Sequence, residues 1–164
     1  MTTYTARAVE PAALKELRDV DDADRACVPF VEEEGGSPLR CCLRRSRTGE
    51  RIALVSYAPL RRWAADTGAE PGAYDEQGPV FVHAAECPGP DTARYPFARP
   101  GAVRTVRRYS ADGHILGGRL LEIPESADEA LDAAFEEAFA DPAVALVHVR
   151  AVEYGCFLYE VRRP

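Results

Sequence analysis

Almost every apolar run in this chain has the length of a strand and is bounded by turn residues, while a single stretch carries a long helical pattern. Residues 51–57 (Arg-Ile-Ala-Leu-Val-Ser-Tyr) are apolar on both faces, which predicts a central strand. They pair with residues 39–43 across a turn at 47–50. Residues 79–85 are again strand-like. Residues 103–109 and 115–116 flank Asp112-Gly113, a strong hairpin signal. Residues 120–123 are short and apolar. Residues 143–152 and 156–162 form a closing hairpin around 153–155. Residues 3–9 alternate weakly and predict an edge strand.

The helical pattern lies at 126–140. Ser126 and Glu129 have the spacing of a capping box. Leu131, Ala134, Phe135, Ala138 and Phe139 then form one apolar stripe. A shorter helix is predicted at 11–18, with Pro11 at its first position. The breaker-rich stretches 58–78 and 86–100 predict connections. The acidic stretches 19–24 and 32–38 predict solvated surface. Many strands and few helices give an α+β class: one domain over residues 1–164, its antiparallel sheet of six to eight strands packed on the 126–140 helix.

A chain of 164 residues, 46% hydrophobic and 29% charged, is long enough to bury a core. Its formal charge of −7 argues against nucleic acid or an anionic membrane as a partner. No apolar run approaches the ~18–20 residues of a membrane span. Lys15 is the single lysine, so the basic groups are almost all arginines, donors suited to carboxylate or phosphate. The five cysteines are odd in number, and Cys41 and Cys42 are adjacent. The first ten residues lack the pattern of a secretory signal. A cytoplasmic setting with reduced thiols is expected.

Candidate site residues come from strand parity. On the closing hairpin, Val147, Val149, Ala151, Phe157, Tyr159 and Val161 share the core face. His148, Arg150, Cys156, Leu158 and Glu160 share the other. Arg40 and Cys42 face one way and Cys41 the other. His83 shares a face with Phe81. Arg40 and Arg150, with His83 alongside and His148 and Cys156 near, can bind a small anion, because a partly buried guanidinium cannot shed its charge and needs a counter-charge. The simpler arrangement pairs Arg150 with Glu160 and Arg40 with Glu50. Cys156 with His148 is a candidate for thiol chemistry, or a small buried hydrophobe. His83 and Cys87 have a ligand-like spacing, with Cys42, Cys156 or His148 to complete a metal set. No CxxC pair exists, however, so no metal and no cofactor is expected. Neither Gly35-Gly36 nor Gly117-Gly118 has the context of a phosphate loop.

Several segments in order carry a resemblance: Leu39-Arg-Cys-Cys-Leu43, Gly49-Glu50, residues 54–57, Tyr74, Gly78-Pro-Val-Phe-Val-His83 with Cys87, Arg108-Tyr109 with Asp112-Gly113, residues 147–150 and Gly155-Cys-Phe157. Together they resemble the bacterial family of unknown function catalogued as DUF1203. The family commonly begins its first block with Pro-Cys-Arg; here Leu39 stands at the cysteine position. The resemblance implies no activity. Two functions stay open: a small-molecule site between the sheet and the Pro-rich loops, enzymatic or binding only, and a non-catalytic interaction module.

Overall fold

The computed structural model describes residues 3–91 and 94–164. The elements run α1 (Pro11–Leu17), β1 (Phe30–Val31), β2 (Pro38–Leu39), β3 (Arg44–Arg45), β4 (Arg51–Tyr57), α2 (Pro59–Thr67), β5 (Gly78–His83), β6 (Val103–Ser110), β7 (Ile115–Glu122), α3 (Ala127–Ala140), β8 (Val144–Ala151) and β9 (Phe157–Arg162). The α+β class is as the sequence predicts. The strands divide into two sheets, though, of five (β1-β4-β5-β2-β3) and four (β7-β6-β8-β9). The five-stranded sheet is mixed, because β2 runs parallel to β5.

The four-stranded sheet carries core packing on both faces, with its edge strand β7 largely exposed. Val106, Val147, Val149, Tyr159 and Val161 pack on Leu131, Phe135, Ala138 and Phe139 of α3. Across the sheet, Tyr109 and Leu146 meet Leu60 and Trp63 of α2. The stripe on α3 is therefore core, as its spacing predicts. The capping box is not formed: Ser126 holds the N-cap position with no side-chain hydrogen bond. The stretch 58–78, expected to be only a connection, opens with α2. Pro59 sits at its first turn and Gly68 closes it at φ 77°, the two residues best suited to those ends.

Three further local expectations change. Residues 3–9 make only an isolated bridge, Arg7 to Glu160, rather than a strand. The acidic stretches are not wholly solvated. Asp21 is buried and accepts from the amides of Ala23, Arg25 and Ser56. Glu32 is buried and accepts from the hydroxyls of Ser37 and Ser46. Of the loop expected at 86–100, residues 92 and 93 lie outside the described residues, as do residues 1 and 2 of the first segment.

A β-bulge changes the parity of the closing hairpin. His148 pairs with Glu160 and Val149 with Tyr159, but Arg150 pairs with Phe157. The extra residue sends Leu158 to the α3 side and Phe157 to the opposite face. There Phe157 joins Leu39, Ile52, Val80 and Val82 of the other sheet.

Candidate functional site

Strand β2 stops at Leu39, short of the strand expected over 39–43, and it pairs with β3 and β5 rather than with residues 51–57, which pair with β1 and β5. The next four residues turn, with the Leu43 amide donating to the Leu39 carbonyl and Leu43 at φ 56°. Strand parity therefore does not apply to Arg40, Cys41 and Cys42. The Arg40 side chain reaches the other sheet, donating from Nε to the Phe157 carbonyl at 2.8 Å and from Nη1 to the Pro38 carbonyl at 2.5 Å. Its residue is 3% exposed. Glu50, its expected partner, is instead held by Arg44. No carboxylate among the described residues forms a salt bridge with Arg40. Burial, with Arg45 nearby, pushes its guanidinium down to about 10, still protonated at neutral pH.

Arg40 lines an open groove of about 650 Å³ with Arg45, Arg104, Glu153 and Cys156. Leu54, Phe81 and Leu158 supply an apolar wall. Arg104 is 5% exposed and donates to the carbonyls of Val103 and Phe97, both at 2.9 Å. Its Nε is buried without a partner. Glu153 lies 3.5 Å from its Nη1. Arg45 donates to the Gly36 carbonyl and stacks 5.6 Å over the Phe97 ring. Three guanidiniums against one carboxylate leave the groove a formal surplus of positive charge, in a chain whose net charge is −7. Arg45, Arg104 and Glu153 were not singled out by the sequence. Arg104 carries a readable signal, since it shares strand parity with the buried Val106.

Arg150, His148 and Cys156 line an adjoining cavity of about 230 Å³, with Glu76 and Tyr109. Arg150 does not pair with Glu160. Its Nη2 lies 3.6 Å from Glu76, which Arg107 also contacts, at 3.0 Å. Glu160 goes to His148, its Oε1 lying 3.1 Å from Nε2, because the two face each other in the ladder. His148 is 1% exposed and sits between the Tyr109 and Phe157 rings. Burial pushes its imidazole down, outweighing the Glu160 charge, so the ring is neutral and donates Nε2–H. Its Nδ1 is buried without a partner. Cys156, half-buried, belongs to both cavities.

Of the five residues picked from the sequence, Arg40 and Cys156 share the groove, while Arg150, His148 and Cys156 share the adjoining cavity. His83 lines neither. It ends β5 with Nε2 at 3.2 Å from Glu50 and Nδ1 at 3.4 Å from Cys41 Sγ. The Cys42 thiol beside it is lowered to about 6 by the hydrogen bond from Cys41, with the Arg44 amide, His83 and the Arg44 charge adding. Cys41 is correspondingly raised.

A family model described as protein of unknown function, DUF1203, matches residues 36–163. The chain belongs to the DUF1203 family. The match takes in the His83 cluster, the adjoining cavity and all of the groove but Gly35, while α1 and β1 precede it. No curated protein matches the chain, and no solved structure does. No helix among the described residues is long and apolar enough to cross a membrane.

Proposed function

We propose that this DUF1203 chain binds a small anionic molecule with an apolar body in the groove between its two sheets. The reading rests above all on Arg40. Its guanidinium is buried, charged at neutral pH, and pairs with two backbone carbonyls in place of a carboxylate. A buried charge without a counter-charge is costly, and an anion lowers that cost. Arg45 and Arg104 extend the same positive field, and Arg offers the planar fork that suits a carboxylate or phosphate head. Leu54, Phe81 and Leu158 take the apolar body. Arg150 serves the adjoining cavity, and His83 has no part in this site. The proposal includes a reducing cytoplasmic setting, in keeping with five unpaired cysteines. It names no reaction.

The test is a thermal-shift screen of acetate, hexanoate, hexyl phosphate and hexylamine against the wild type, Arg45→Glu and Arg150→Ala. At about ten times Kd, binding adds ~1.4 kcal/mol, or roughly 3–6 °C in Tm. Hexanoate or hexyl phosphate should shift the wild type and Arg150→Ala, hexylamine neither. Arg45→Glu, at the exposed rim, should abolish the shift. Equal responses in Arg45→Glu and wild type would defeat the proposal.

A further inference from the structure

The sharpest convergence of reactive side chains lies outside the groove, at the far end of β5. The turn after β2 sets Cys41 Sγ and Cys42 Sγ 3.9 Å apart. The parallel pairing of Leu39 with Phe81, continued by the Arg40 amide on the Phe81 carbonyl, brings this turn beside His83. His83 Nδ1 then lies 3.4 Å from Cys41 Sγ and 3.7 Å from Cys42 Sγ. Cys87 follows four residues later and folds back. The three sulfurs and the ring nitrogen all lie within 4.8 Å of one another. We infer that Cys41, Cys42, His83 and Cys87 form a binding site for one zinc-class, thiophilic divalent cation.

The distances carry the inference. Zinc bonds of about 2.3 Å to sulfur and ~2.0–2.1 Å to nitrogen place tetrahedral ligands at roughly 3.8 Å (S···S) and 3.5 Å (S···N). The observed 3.9, 3.4 and 3.7 Å are those edges. Cys87, half-buried and on the loop after β5, needs only a small movement to complete the fourth corner. A disulfide explains the grouping less well, since it would join two of the sulfurs and leave the imidazole without a role.

The surroundings are built for a ligating histidine. Glu50 Oε1 lies 3.2 Å from His83 Nε2, and Glu50 is itself fixed by both Nη atoms of Arg44 and by the Arg47 amide at 2.7 Å. Arg44 Nη2 also lies 3.3 Å from Nε2. In the tautomer that donates Nε2–H to the carboxylate, the Nδ1 lone pair faces the sulfurs. This is the carboxylate–histidine arrangement that orients metal-bound imidazoles. The His83 amide donates to Cys41 Sγ at 3.2 Å, a contact that favours a thiolate. Arg18 Nε holds the His83 carbonyl at 3.0 Å. On binding, each thiol that ligates gives its proton to solvent, and no electron is transferred.

Three thiolates and an imidazole make a closed set, so the metal is structural and not a catalytic ion with an open position. It braces three segments: the turn at 40–43, the end of β5 and the loop carrying Cys87. The sequence predicts no metal. Of the residues that complete a set with His83 and Cys87 there (Cys42, Cys156 or His148), the fold brings Cys42 to them and places Cys156 and His148 in the cavities between the sheets.

The experiment uses the full chain, stripped of metal by chelation under reducing conditions. Zn²⁺ is titrated against a competing chromophoric chelator, and Co²⁺ serves as the spectroscopic probe. The site predicts one tight Zn²⁺ per chain. It also predicts a Co²⁺ spectrum with tetrahedral d–d bands and thiolate charge transfer. Cys87→Ser and His83→Gln should each lose at least tenfold in affinity, and Glu50→Gln about 10–100-fold. Cys27→Ser, outside the cluster, should bind as the wild type does. Circular dichroism confirms that each variant is folded, and any that is not is replaced by Cys42→Ser. A stripped chain that binds Zn²⁺ no more tightly than folded Cys87→Ser, or Co²⁺ without thiolate charge transfer, overturns the inference.

Discussion

Arg40 Nε donates to the carbonyl of Phe157 across 2.8 Å, so one buried cation joins the turn after β2 to the first residue of β9. The bond links the two sheets at the wall of the groove. The Phe157 ring makes edge contact with Tyr57 at 5.7 Å. Arg40 is therefore a tie between the sheets, and in the proposed function it is also the positive wall for an anion.

Arg40→Met keeps the stem and removes the donors. It leaves the Phe157 and Pro38 carbonyls without this partner, and should destabilise by about 1–3 kcal/mol in chemical denaturation. A neutral or stabilising result would mean that the tie does not outweigh the relief from an uncompensated charge.

Phe135 is fully buried beneath the four-stranded sheet, in edge contact with Tyr4 and Tyr95. Phe135→Ala should cost about 3–5 kcal/mol. A loss below ~1 kcal/mol would place the α3 stripe outside the core.

Gly113 turns the β6–β7 hairpin at φ 83°, and a Cβ added there would lie 3.0 Å from Pro71 Cβ and 3.3 Å from the Trp63 ring. Gly113→Ala meets both an unfavourable backbone region and a neighbour. It should lower stability by about 1–2 kcal/mol or more. By contrast, Gly49→Ala (φ 89°) has open space around it and should show only the backbone part of the loss.

His148 and Glu160 predict an acid-side loss of stability. The His148 imidazole is held below its ordinary value by burial, so protonation favours the unfolded chain. Its contribution is full above ~6.5 and falls as pH drops below that value. Glu160 is also held low. Burial opposes this, but the hydrogen bond from His148 and the Arg162 charge outweigh it. Its contribution is present above about 4.5 and is lost on further acidification. Tm should be flat near neutrality and decline from about pH 6.5 downward. His148→Gln should flatten the upper part of that decline; an unchanged profile would remove His148 from it.

The α3 stripe, the Asp112-Gly113 turn and the closing hairpin were readable because each rests on local periodicity or turn chemistry. Three features were not. The strands divide into two sheets, and the tie between them, Arg40 to Phe157, spans 117 residues of sequence, which no local pattern records. The bulge at Leu158 reverses which of Phe157 and Leu158 faces α3, and parity counting assumes an unbroken ladder. The turn at 40–43 places Cys41 and Cys42 side by side, whereas a strand there would have set them on opposite faces. The candidate anion site was legible in part. Arg40 and Cys156 were visible from their positions, but Arg45 and Arg104 reach the groove from a different strand of each sheet.

The groove is tested most directly by titrating hexanoate into the ¹⁵N-labelled full chain and following amide chemical shifts, with hexylamine as the cationic control. Anion binding in the groove predicts saturable shifts centred on residues 36–45, 79–81 and 153–158, produced by hexanoate and not by hexylamine, and lost in folded Arg45→Glu. Shifts that fail to saturate, that appear equally with hexylamine, or that persist in Arg45→Glu would contradict it.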